Sequence, residues 1–376
     1  MRVLIYVQHL LGIGHLARVS RIAAALHKAE ADVTLVSGGT PVSGFAFPGV
    51  RLIQLPPIRA RDMSFSALVD DEDRPIDDAF KASRRDRLIA EFDKVLPDVL
   101  IIEAFPFGRR QMRFELLPLL RHAGEIARPP LIASSVRDIL QENRKAGREA
   151  ETLGVLNAFF DLVLVHGDPG FTRLEETFPA AAQVAPHIAY TGLVAGEAAV
   201  SPDRFDVVVS AGGGVVGAKL IAAAVAAAPG LLGRWPRWCI ITGPNFPSSD
   251  RAALEARLPA GIVLATFRAD FPGLLAGARL SISQAGYNTV CDILRARCPA
   301  VLIPFAEGGE TEQSDRARRL AKLGLAAVLS EDQLSPESLA EAMAAAPAPG
   351  TSSLNLDGAA ETARILKQQL AARQRS

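Results

Sequence analysis

The sequence predicts an α/β protein of two Rossmann-like domains facing an interdomain cleft. Three observations carry this prediction. Short apolar runs bounded by glycine or proline alternate with helical patterns, the mark of βαβ units and parallel sheets. Two glycine-rich turns, Gly12-Ile13-Gly14-His15 and Ser210-Ala211-Gly212-Gly213-Gly214-Val215-Val216-Gly217, each follow an apolar run and precede an alanine-rich helical stretch. Between the halves, Thr191-Gly192-Leu193-Val194 through Ser201-Pro202-Asp203 breaks the periodicity.

In chain order, strands are expected at Val3 to Val7, Asp32 to Val36, Arg51 to Leu55, Val99 to Ile102, Leu131 to Ser134, Leu162 to Val165 and His187 to Tyr190. A second set follows at Asp206 to Val209, Trp238 to Thr242, Ile262 to Ala265, Leu280 to Ser283, Ala300 to Ile303 and Ala326 to Val328. Each set suffices for a Rossmann-like sheet. The expected division is a first domain over 1–195, a hinge over 196–203, a second domain over 204–355 and a C-terminal helix over 356–376 that packs back on the first domain. The charged stretch from Arg59 to Arg87 has no core pattern before Leu88 and reads as an insertion over the cleft or a solvated loop.

Bulk properties narrow the function classes. Formal net charge is zero, with 41 basic and 41 acidic residues, which speaks against a nucleic-acid partner held by a general field. Lysines supply 7 of the 41 basic residues, so arginine clusters are common background and weak signals. The chain opens on a strand-like run with no secretory leader pattern, and Cys239, Cys291 and Cys298 have no zinc or redox spacing; a cytoplasmic protein is expected. The longest apolar stretch, Leu220 to Pro229, is shorter than the roughly 20 residues a bilayer span needs, which leaves peripheral membrane contact open.

The hexad from Gly212 to Gly217 satisfies GxGxxG, but no Asp or Glu follows between Ala218 and Ser249 to hold a ribose. It also fails as a phosphate-binding lysine loop, because Lys219 comes one place late and Leu220 stands where Ser or Thr is required. Two readings remain: close approach to a diphosphate, or a tight turn that needs positive φ. Downstream, Ser283, Gly286 and Asn288 sit in a turn that opens a helix and can offer donors to an anion, with Asp292 in that helix able to accept two ribose hydroxyls. Pro304-Phe305 leads into Glu312-Gln313, which can bind sugar hydroxyls; an acid in an early helical turn is also an ordinary dipole partner.

The order of these motifs resembles glycosyltransferase family 28, the family of the N-acetylglucosaminyltransferase of peptidoglycan synthesis, and with it the glycosyltransferase B (GT-B) fold. The resemblance runs through Gly12-Ile13-Gly14-His15, the second glycine turn, Ser283 through Asp292, and Pro304-Phe305 through Glu312-Gln313. It implies that Gly213 and Gly214 contact the donor diphosphate, Asp292 holds the ribose, Glu312 and Gln313 read the sugar, and backbone groups at Phe267 and Arg268 pin the base. Asp292 replaces the family's Glu, and Glu312 its first Gln, which puts uracil and N-acetylglucosamine in question. The implied donor is a nucleoside diphosphate sugar, UDP-linked in the family, with inversion at the anomeric carbon and no metal or further cofactor.

On the acceptor side, His15 beside Gly14 stands at the family's histidine; it serves as base toward the acceptor hydroxyl, or caps the helix or binds the acceptor. Glu103 ends a strand at the same switch point and orients His15, acts as the base itself, or is an ordinary loop carboxylate. The segment Phe105 to Phe114, with Arg109 and Arg113, suits an anionic, lipid-linked acceptor or a membrane surface, and equally a structural role. His166 lines the acceptor site or belongs to a turn set by Pro169 and Gly170. The Asp71-Glu72-Asp73 run follows no strand and reads as solvent-facing. Two further readings stand beside glycosyl transfer: a nucleotide-sugar epimerase or hydrolase of the same fold, and a nonenzymatic sugar-nucleotide-binding protein.

Overall fold

The computed structural model describes residues 1–42, 45, 47–62, 67–141, 147–197, 201–212, 216–243, 246–348, 350 and 352–375. Two compact units result, Met1–Val194 together with Asp357–Ser376, and Ala195–Leu356.

The first unit runs β1 (Arg2–Val7), α1 (Gly14–Lys28), β2 (Asp32–Ser37), β3 (Arg51–Gln54), β4 (Arg59–Ala60), β5 (Leu68–Val69), α2 (Asp78–Val95), β6 (Val99–Glu103), α3 (Arg113–Glu125), β7 (Leu131–Arg137), α4 (Arg148–Phe159), β8 (Leu162–His166) and β9 (Ile188–Tyr190). Among the described residues, seven of these strands form a parallel sheet in the order β3-β2-β1-β6-β7-β8-β9. Both faces are covered, so β6 is buried at every position and reads in sequence as an unbroken apolar run. Strand order reverses between β1 and β6, whose register pairs Tyr6 with Ile102. That reversal brings the turn after β1 beside the end of β6, the crevice where doubly wound sheets place ligands.

The charged stretch from Arg59 onward is more ordered than its composition suggests. β4 and β5 pair antiparallel, and α2 begins at Asp78 because the Asp77 carboxylate accepts the Phe80 N–H at 2.7 Å. Residues 71–73 are exposed, and Asp70 rather than the acidic run organises the turn, accepting from the Glu72 and Arg74 N–H groups at 2.9 Å.

The second unit runs β10 (Val207–Ser210), α5 (Ala218–Leu231), β11 (Trp238–Ile241), α6 (Ser248–Glu255), β12 (Ile262–Ala265), α7 (Phe271–Gly277), β13 (Leu280–Ser283), α8 (Tyr287–Ala296), β14 (Ala300–Leu302), α9 (Glu312–Lys322), β15 (Ala327–Val328) and α10 (Pro336–Ala345). Its parallel sheet, in the order β12-β11-β10-β13-β14-β15, repeats the reversal between β10 and β13, with Ser210 opposite Ser283. Each unit is therefore Rossmann-like on its own.

The chain then returns to the first unit. Val194 bridges to Asp357, and α11 (Gly358–Arg373) packs along α1. Gly358 sits where a Cβ would overlap the Gly192 carbonyl oxygen, so the return passes through a point that admits only glycine. Two described residues of the segment expected as the hinge bond to the second unit: Gly196 N–H donates to Asp292, and Ser201 Oγ donates to Asp270 at 2.6 Å.

Candidate functional site

In the first unit, α1 starts at Gly14 with no side-chain cap, and Gly14 is exposed. Its apolar stripe of Leu16, Val19, Ile22 and Leu26 packs inward, and that packing turns His15 and Arg18, three residues apart and on one face, toward the end of β6. Both meet Glu103. His15 Nδ1 lies 3.0 Å from Glu103 Oε1, and Arg18 Nη2 donates to the same oxygen. Ser135 Oγ donates to Glu103 Oε2 at 2.5 Å.

Glu103 has no exposed surface, and His15 keeps 18% side-chain exposure. Burial alone would raise the Glu103 pKa, but the Arg18 guanidinium, His15 and the Ser135 hydroxyl outweigh it and hold the carboxyl at about 2. Burial, then repulsion from Arg109, pushes His15 down to about 3 against the pull of Glu103. An ionised carboxylate can only accept, so Nδ1 of a neutral His15 carries the proton and Nε2 keeps its lone pair. Glu103, fully buried and shared by His15, Arg18 and Ser135, fits the reading in which it orients His15.

Two acceptor-side expectations change. His166 is fully buried, with Nε2 2.9 Å from Ser135 Oγ and Nδ1 2.9 Å from Thr191 Oγ1, so it touches no acceptor in this arrangement. Burial and the nearby Arg18 hold its pKa at about 3. Arg113 and Arg110 both pair with Glu151, at the start of α4, which commits Arg113 to holding α4 rather than an anion. Arg109 remains near His15: its backbone is left-handed at φ 57°, its Nε donates to the Gln8 carbonyl at 2.7 Å, and burial with repulsion from Arg137 lowers its pKa to about 10.

In the second unit, Gly213 and Gly214 lie outside the described residues. The ends of their turn are fixed: Gly212 has φ 63°, and Gln284 Nε2 donates to the Val216 carbonyl at 3.0 Å, tying the turn to the one that opens α8. Ser283 is buried against Ser281 at 2.8 Å, Gly286 starts α8 with open space beside its Cα, and Asn288 occupies the first turn. Gly286, the residue before α8, has no side chain to cap that turn, and a helix start of this kind suits an anion.

Asp292 departs from its expected role. It is 2% exposed, and Oδ1 accepts the Gly196 N–H at 2.8 Å, so its carboxylate anchors the start of the unit rather than facing a ribose. Glu312 is likewise buried, in an ion pair with Arg316 at 2.8 Å, and Arg316 also donates to the Ala285 carbonyl at 3.0 Å. That pair corrects the reading of Glu312 as a sugar acceptor. Gln313 Oε1 accepts the Phe305 N–H at 3.2 Å, which turns its amide so that NH2 is the donating end. Beside Phe267, the Arg268 side chain is clamped by Asp270 at 2.7 Å and Asp203 at 2.8 Å.

Residues 208–370 match the glycosyltransferase family 28 C-terminal domain. That match covers less than half of the chain, and it lies mainly in the second unit. A Brucella anthropi relative named UDP-N-acetylglucosamine--N-acetylmuramyl-(pentapeptide) pyrophosphoryl-undecaprenol N-acetylglucosamine transferase is 32% identical over 230 residues, 58% of this chain and 59% of that protein. A Brucella suis protein of the same name is 33% identical over 147 residues, 38% of each chain. This chain covers less than two thirds of the length of these relatives. Among solved structures, Acinetobacter baumannii MurG aligns with a TM-score of 0.55 at 16% identity, covering 100% of this chain and 99% of that one. The glycosyltransferase SnogD from Streptomyces nogalater aligns with a TM-score of 0.60 at 15% identity over 99% of this chain and 95% of that one. At these identities the likenesses show the fold alone, and that fold is GT-B. Among the described residues no helix is long and apolar enough to cross a membrane.

Arg18, Ser135, Thr191 and Gln284 escaped the sequence reading. Arg18 alone left a trace, as a base three residues after His15 on an apolar helix face.

Proposed function

We propose that this protein is a glycosyltransferase that moves a sugar from a nucleoside diphosphate sugar, UDP-linked as in the named relatives, to an acceptor bound by the first unit. The observation that carries this reading is the His15–Glu103 pair at the strand-order reversal of a chain whose second unit is a family 28 domain. In the proposed reaction, His15 Nε2 takes the proton of the acceptor hydroxyl as its oxygen attacks the anomeric carbon. The bond from that carbon to the diphosphate oxygen breaks, and the nucleoside diphosphate leaves with inversion. The N-terminal turn of α8 and the glycine turn at Gly213 and Gly214 are proposed to hold the diphosphate, with Gln313 donating to the sugar.

The repulsion between Arg109 and Arg137 supports an acceptor with an anionic group, such as a lipid-linked diphosphate, because a bound anion offsets it. Such an acceptor would place the protein at the inner face of the membrane. The test is release of nucleoside diphosphate by the purified protein across acceptors. Acceptor-dependent release supports transfer, whereas equal release from donor alone points to a hydrolase.

A further inference from the structure

The Glu103 carboxylate is the end of a longer chain of hydrogen bonds. The strands β6, β7 and β8 and the residue after β9 contribute one member each: Glu103, Ser135, His166 and Thr191. Register places Glu103 opposite Ser135, so the chain crosses the sheet at the carboxyl ends of its strands, 2.5 Å from Ser135 to Glu103, 2.9 Å from His166 to Ser135 and 2.9 Å from Thr191 to His166. All four side chains are buried. Parallel strands covered on both faces ordinarily spend such positions on aliphatic residues, and burying polar groups costs free energy unless each is satisfied.

Proton bookkeeping gives the chain a direction. Glu103 is ionised, so the one Ser135 proton points to it, and Ser135 must accept from His166 Nε2–H. A neutral His166 then has its lone pair on Nδ1, 2.9 Å from the Thr191 hydroxyl, whose one proton also has the Gly192 carbonyl within reach at 2.9 Å. The Ser135 and His166 protons both point toward Glu103, whose other oxygen receives Nδ1–H of His15.

We propose that Ser135 and His166 are positioning residues that hold Glu103 by this hydrogen-bond chain so that His15 presents Nε2 as a fixed acceptor. The proposal rests on the base role of His15 described above. It assigns His166 to the support of the base, at one remove from any substrate.

The test has one arm that needs no activity. Long-range 1H–15N spectra of the full-length protein report the tautomer of His15. The wild type should show His15 protonated at Nδ1, and Ser135→Ala and His166→Leu should each lose that single tautomer. His166→Gln, which keeps an N–H donor toward Ser135, should restore it. In the transfer assay the first two variants should lower kcat roughly 10- to 100-fold with KM little changed. An unchanged His15 tautomer in both folded loss variants overturns the proposal. If the wild type transfers no sugar, the function proposed above fails, while the spectra still decide whether the chain orients His15.

Discussion

His15 Nδ1 lies 3.0 Å from Oε1 of Glu103, and this single contact decides which ring nitrogen is left to act. A carboxylate held ionised beneath the ring fixes the tautomer and stabilises the imidazolium that forms when Nε2 takes a proton. His15→Ala should therefore lower kcat by roughly 10² to 10⁴ with donor KM little changed, read by steady-state kinetics. Because His15 stays neutral until about pH 3, the acid limb of kcat/KM should fall well below the ordinary histidine value of 6.5.

Arg18 and Glu103 form a buried ion pair, so deleting one partner strands the other's charge. Arg18→Met should cost about 3–5 kcal/mol in denaturant unfolding. Arg18→Met with Glu103→Gln should recover part of that loss; a double variant as unstable as the sum of the singles would contradict the pairing.

The same groups make the fold acid-sensitive. The unfolded chain protonates His15 and His166 near 6.5, whereas the folded chain resists until about 3, so stability falls as pH drops through that window. Each ring contributes a slope of up to about 1.4 kcal/mol per pH unit. Glu103, ordinarily near 4.5 and held at about 2, adds its own loss as pH falls between those values. Melting temperatures across this range should decline, and His166→Gln, whatever its stability at neutral pH, should decline less steeply.

Gly358 tests the return of the chain to the first unit. Its missing Cβ faces the Gly192 carbonyl, a backbone atom that cannot step aside as a side chain would. Gly358→Ala should destabilise by about 1–3 kcal/mol and expose α11 to limited proteolysis.

Most of the fold was legible because buried parallel strands are apolar runs, and both glycine turns fall between such a run and a helix. The structured part of 59–87 was not, since a charged sequence hides a helix whose start depends on one cap, Asp77. In the site, His15 and Glu103 were legible from their places at a helix start and a strand end. Ser135 and Thr191 were not, because a small polar residue carries no mark of what it faces across the sheet. Glu312 was misread although its partner was visible four residues on: Arg316 shares its helix face, and the pair buries together. Asp292 meets Gly196, 96 residues away in sequence, which no local pattern reveals.

Binding of a sugar nucleotide by the second unit is tested by the melting temperature of the purified protein across nucleoside diphosphate sugars, free diphosphates and NAD(P). A ligand of the folded state alone stabilises by about 2.7 kcal/mol at one hundred times its Kd. We expect a selective rise with one sugar nucleotide and a smaller rise with its free diphosphate. No rise with any sugar nucleotide at millimolar concentration, or a rise with NAD(P) alone, would contradict the account.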